Sequence, residues 1–133
     1  MAKQIKAYMM RLGKDESPCQ GYIGEIDNTL EAKQKYVGGL IQVISLNGQV
    51  DIICNDEGKL QGLQPNRAFI KDGKVLDIFV GDILACRHDE DGNFTSIEDT
   101  DIPIIEQTLE PIAFMLGNKV ITCKADELPV FKQ

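Results

Sequence analysis

Three two-residue turn signals divide the middle of this chain: Asn47-Gly48, Asp72-Gly73 and Asp91-Gly92. Each lies between runs of strand-forming residues. Asn-Gly and Asp-Gly tolerate the positive φ angles of a type I′ turn, so each predicts a β-hairpin. The first joins a strand over 40–46 to one over 50–54. The second joins 67–70 to 74–79, and the third joins 82–88 to 93–97. Gly81 breaks the long 74–88 run into two strands by a bulge or bend. Hairpins at this density leave little room for any architecture except antiparallel sheet.

The flanks supply the remaining elements. Ile5, Ala7 and Met9 alternate with Lys6, Tyr8 and Met10, which predicts a first strand over 4–12. A loop over 13–21 and a short strand over 22–26 follow. Asn28-x-x-Glu31 has the form of a capping box and predicts a helix ending at Val37, with Gly38 as its left-handed cap. The nearly continuous apolar run from Leu40 to Leu46 predicts a strand buried on both faces. Asn55 to Leu63 fits a short helix capped by Asn55, with Asp56 and Glu57 in its first turn. Ile102, Ile105, Leu109, Ile112 and Leu116 recur at spacings of three and four, a helical stripe. That helix begins near Asp99 or Thr100, tolerates Pro103 in its first turn, and kinks or splits at Pro111. Lys119 to Lys124 closes the chain as a strand. The expected fold class is therefore α+β. One domain over 1–133 holds a mixed, mostly antiparallel sheet of hairpins with two or three short helices on it.

Charge is distributed unevenly along this frame. From His88 to Asn118 there is no Lys or Arg, and the stretch carries Asp89, Glu90, Asp91, Glu98, Asp99, Asp101, Glu106 and Glu110. The whole chain has 21 acids against 14 bases, so these eight residues account for its entire net charge of −7. The plain reading is a solvated face that keeps the protein soluble. The sharper one is an acidic surface for a partner with a basic surface, such as a groove that otherwise holds nucleic acid. Direct binding to nucleic acid is not expected, since a phosphate backbone calls for clustered Lys and Arg. The longest apolar runs are too short to cross a bilayer and the N-terminus lacks a signal-peptide stretch. A cytoplasmic address and no membrane contact are the expectation.

Catalytic chemistry finds few candidates. Cys19, Cys54, Cys86 and Cys123 are widely spaced without a C-x-x-C pair and read as buried free thiols. His88 is the one histidine, so a zinc site, a Ser-His-Asp triad or a Cys-His dyad would all rest on it; a strand-end histidine is the simpler account. Asp89-Glu90-Asp91-Gly92 lacks the glycine at position 6 and glutamate at position 12 of a calcium loop. No catalytic residue, metal or cofactor is expected. A ligand site is conceivable between the first two hairpins, where Lys59 and Arg67 would face an anion, flanked by Asn55, Asp56, Glu57 and Asn66. The competing account makes Asn55 a cap, sends Glu57 and Lys59 to solvent, and pairs Arg67 with a carboxylate such as Asp56.

Val37-Gly38-Gly39 with Ile41 and Val43, Asn55 to Lys59, Pro65-Asn66-Arg67 and the late Gly81 together resemble domain of unknown function 3846, over roughly residues 25–87. Gln42 stands where a glutamate is common in that family. The resemblance implies a small accessory protein of a phage, plasmid or other mobile element, mostly in Gram-positive bacteria. It carries no established activity onto any residue.

Two functional expectations follow. The first is a non-enzymatic binding protein whose acidic surface over 89–110 meets a basic host or element-encoded protein. The second is a small-ligand module for a nucleotide or other phosphorylated metabolite, built on Lys59 and Arg67. An exposed edge strand leaves a homodimer open.

Overall fold

The computed structural model describes residues 3–132. Two antiparallel sheets enclose one apolar cluster, and a second lies on the opposite face of the larger sheet. The larger runs in the order β2 (Tyr22–Asp27), β1 (Gln4–Met10), β7 (Ile83–His88), β4 (Val50–Asn55) and β3 (Ile41–Ser45), with β8 (Phe94–Thr95) beside β7. The smaller runs β10 (Lys119–Thr122), β9 (Leu109–Leu116), β5 (Pro65–Lys71) and β6 (Lys74–Val80). The expected single sheet is thus two. Gly81, at φ 74°, makes the corner by which the chain leaves one for the other, and a Cβ there would lie 2.8 Å from Leu63 Cδ1.

The alternation in β1 shows why the larger sheet needs cover on both sides. Ile5, Ala7 and Met9 enter one apolar cluster, with Ile26, Ile53, Leu84 and Val37 of α1 (Leu30–Val37). Tyr8 and Met10 enter the other, with Ile52, Ile83, Phe79, and Ile105 of α2 (Ile102–Thr108). A strand between these layers has no polar face. That strand is β4, buried at every position, and the 40–46 run expected to fill the role forms the exposed edge β3 instead. Position in the sheet decides this: β4 lies between β7 and β3, whereas β3 has one neighbour.

Helix α1 has eight residues, too few to be stable alone, so its packed face sustains it. Its N-cap is Thr29, whose hydroxyl accepts from the Ala32 amide at 3.1 Å. Asn28, the expected cap, instead donates to the Phe94 carbonyl and accepts from buried Lys33 Nζ at 2.8 Å. Gly38 ends the helix as its sequence position implies, at φ 83°, with its amide on the Gln34 carbonyl. The space around its missing Cβ is open, so Gly38→Ala exacts only the backbone penalty. We expect a loss of about 1 kcal/mol, read as a lower urea midpoint with an unchanged slope.

The expected helix over 99–116 is also divided. Asp99–Asp101 is a 3-10 turn, α2 stops at Thr108, and the rest is strand β9. Pro111 sits inside β9, facing Arg67 of β5. On the β10 side, the register shifts between Ile121 and Thr122, so the missing proline donor falls beside an irregularity that tolerates it. Residues 55–63 form successive turns and no helix; Asn55 closes β4.

Candidate functional site

The polar residues of the middle block do not converge. Asn55 is buried, donating to the Val37 carbonyl and to Gln61 Oε1, while its Oδ1 accepts from the Glu57 amide at 2.8 Å. Asp56 and Glu57 are exposed on the turn that follows. Lys59 pairs with Asp77 at 2.9 Å. Those four residues line a cleft of about 100 Å³ with Cys54, Asp77 and Phe79.

Asn66 and Arg67 lie elsewhere, in the interior. Asn66 is fully buried and its amide donates to the carbonyls of Met10 at 2.9 Å and Gly81 at 2.7 Å. Arg67 is 3% exposed, with Nη1 on Asn66 Oδ1 at 2.7 Å and Nη2 on the Cys19 carbonyl at 2.9 Å. It has no ion-pair partner among the described residues, and burial pulls its pKa down. The expected pairing with Asp56 is therefore corrected. Arg67 ties the β1–β2 loop to the second sheet through neutral oxygens.

The acidic segment splits into structural and free carboxylates. Asp101 is buried and accepts from Arg87 twice, at 2.7 Å from Nε and 2.8 Å from Nη2, and from the Glu98 amide at 3.0 Å. Hydrogen bonds from Arg87 come first among the causes that hold its carboxyl below the usual value. Glu98 is exposed and also reaches Arg87 at 3.1 Å. Asp101 is thus withdrawn from any partner surface. Asp89, Glu90 and Asp91 form the exposed tip between β7 and β8, where Asp89 accepts from the Asp91 and Asn93 amides. Asp99 is exposed on the turn that Arg87 anchors, beyond β8 from them in sequence. Glu106 is exposed and borders an open groove with half-buried Glu110, which accepts from Thr122. Among the described residues, the six carboxylates other than Glu98 and Asp101 have no ion pair.

The remaining chemistry-bearing groups are engaged in holding the fold. His88 ends β7, as expected, but is half-buried and not exposed: its Nδ1 lies 2.8 Å from Oδ2 of buried Asp51. Burial pushes the Cys54 thiol up to about 11 and Cys86 up to about 12, which suppresses the nucleophilic thiolate. Burial also holds Lys33 below the ordinary lysine value; its ammonium lies 4.9 Å over the Phe94 ring. Arg11 sits between the rings of Tyr36 and Phe131, at 5.2 and 4.6 Å, and pairs with Asp82. Sequence reasoning missed Arg11, Arg87 and Asp51. Only Arg87 had a visible signal, as the last cation before the acidic stretch. Among the described residues no three His, Cys, Asp or Glu side chains gather as a metal site, and no helix is long and apolar enough to cross a membrane.

A family model described as a domain of unknown function, DUF3846, matches residues 8–110. No curated protein and no solved structure matches the chain.

Proposed function

The chain belongs to the family of domain of unknown function DUF3846, and from that premise we propose a non-enzymatic binding protein of phage or mobile-element origin. It works in the host cytoplasm by setting its acidic segment against a basic surface of a host or element-encoded protein. One observation carries the reading: six of the eight carboxylates over 88–118 have no ion pair among the described residues, in a stretch without Lys or Arg. The fold uses Asp101 and Glu98 to hold Arg87 and gives the other six no ion pair among the described residues. A surface of one sign attracts an opposite one over a Debye length and loses that pull in salt.

The small-ligand alternative is weaker. Its cleft, at about 100 Å³, falls below the 300 Å³ or more usual for small-molecule sites. Asp56, Glu57 and Asp77 outnumber Lys59 there, so a phosphorylated ligand meets net repulsion. Arg67, the second cation it needed, is in the core.

The test neutralises Glu90→Gln, Asp91→Asn and Asp99→Asn together, all exposed and without an ion pair among the described residues. Glu98 and Asp101 stay intact because they hold Arg87, and Glu106 because its charge acts on Arg67 and Tyr8 in the interior. Immobilised wild-type chain should capture a basic protein from bacterial lysate at about 50 mM salt and release it near 0.5 M. The triple variant, folded by circular dichroism, should capture at least tenfold less. Equal capture by wild type and variant removes the proposal.

A further inference from the structure

We infer that two copies of this chain associate about a twofold axis, each burying its β9–β10 arm in a groove of the other. β5 pairs with β9 only from Leu109 to Pro111, yet β9 runs on to Leu116 with β10 as its partner. The hairpin therefore projects past the sheet as a two-stranded arm. Ala113, Phe114, Met115 and Leu116 are exposed in succession, so the arm is apolar on both faces where a sheet face covered on one side would alternate. A lone two-stranded hairpin is marginal in water, and this one lacks a layer beneath it.

Beside the arm lies an open groove of about 530 Å³, whose lining includes Pro65, Val75, Leu76, Ile78, Val80 and Met115. Ridge and groove on one molecule are what a self-complementary interface requires, since each copy then gives and receives the same contact. Leu60, Val75, Leu76, Phe114, Met115 and Leu116 are half of the large apolar side chains exposed among the described residues, and all belong to the arm, β6 or the adjoining turn. Their exposed fractions leave on the order of 700 Å² per copy, against the ~800 Å² per partner that stable interfaces bury.

Charge favours a second copy here over contact elsewhere. Pro111 to Lys124 contains no Asp or Glu in a chain of net charge −7, so the arm brings no carboxylate to the groove, where the one acid, Asp77, is already paired with Lys59. Edge-to-edge pairing of β6 is blocked. Asp77 Oδ1 accepts from the Ile78 amide and from Lys59, and the β5–β6 register shifts between Phe69 and Ile70. What remains is burial of the arm's side chains.

The inference is independent of the proposed function, and it is tested by sedimentation velocity of the full chain from about 1 to 200 µM in 0.15 M and 1 M NaCl. A monomer–dimer equilibrium is expected, with dimerisation no weaker in the higher salt. Phe114→Glu with Leu116→Glu on the ridge, and Leu76→Glu in the groove, should each raise the dissociation constant at least tenfold. All three positions are exposed, and thermal melts should confirm the fold. A wild-type monomer at every concentration overturns the inference, as would a dimer indifferent to both variants. Growth beyond dimers overturns the twofold arrangement.

Discussion

Asn66→Ala should destabilise the fold by about 3–5 kcal/mol, read from urea melts. The side chain is small but serves three buried groups at once: it donates to the Met10 and Gly81 carbonyls and accepts from Arg67. Truncation strands two acceptors, each at about 1–3 kcal/mol, and takes one of the two oxygens from a guanidinium that has no ion pair among the described residues. Against a typical total of about 5–15 kcal/mol, that loss puts the variant near its unfolding threshold. Arg67→Met should cost less, about 1–2 kcal/mol, because relief from a buried charge offsets much of the loss from stranding Asn66 Oδ1 and the Cys19 carbonyl. In the Arg67→Met background, Asn66→Ala should then lose at least 1 kcal/mol of its effect, since no guanidinium is left wanting. Additivity of the two substitutions would show that Asn66 acts on the carbonyls alone.

The same pair marks where sequence stops being informative. Locally, Asn66 after a proline reads as part of a turn, and Arg67 at the head of the next strand reads as the partner of a nearby carboxylate. Their burial depends on Cys19, 48 positions from Arg67, and on Met10, 56 positions from Asn66. Local signals did succeed where the physics is local. Asn47-Gly48, Asp72-Gly73 and Asp91-Gly92 each turn the chain between paired strands, but only Asp72-Gly73 has the positive φ at both positions that a type I′ turn requires, and the other two loops are longer. Gly38 caps its helix for the same reason. The errors concern choices that only the assembled sheets make. Runs 40–46 and 50–55 are both apolar, and the second became central because β7 pairs with it. The spacing from Ile102 to Leu116 satisfies a helix throughout, but from Leu109 onward the free edge of β5 offers backbone partners that a helix would forgo. Composition found the acidic segment, yet could not separate Asp101 from its neighbours, because the separation rests on Arg87 reaching it across 14 residues.

Asp101→Asn should lower the thermal midpoint at pH 7 by on the order of 10 °C, and the deficit should shrink in acid. The carboxylate accepts two hydrogen bonds from Arg87 and one from the Glu98 amide while almost wholly buried. An asparagine keeps one acceptor and turns an amide donor toward the guanidinium. The pH dependence follows from the direction of the pKa shift. The Asp101 carboxyl is held below the ordinary aspartate value of 3.8, chiefly by Arg87, so the folded state binds its proton later than the unfolded state does. Its contribution is full above the unfolded value and drains away as pH falls through the folded one. Wild type and Asp101→Asn should therefore differ by a constant amount from pH 7 to about 5 and converge only below about 4. Arg87→Met should be at least as damaging at pH 7, because it leaves the buried carboxylate facing no cation. Adding Asp101→Asn to it should recover part of the loss, as the uncompensated charge is then gone. A gap between wild type and Asp101→Asn that stays constant down to pH 2 would mean the lost stability is steric. In that case the ion pair has no part in fixing the turn that carries Glu98 and Asp99.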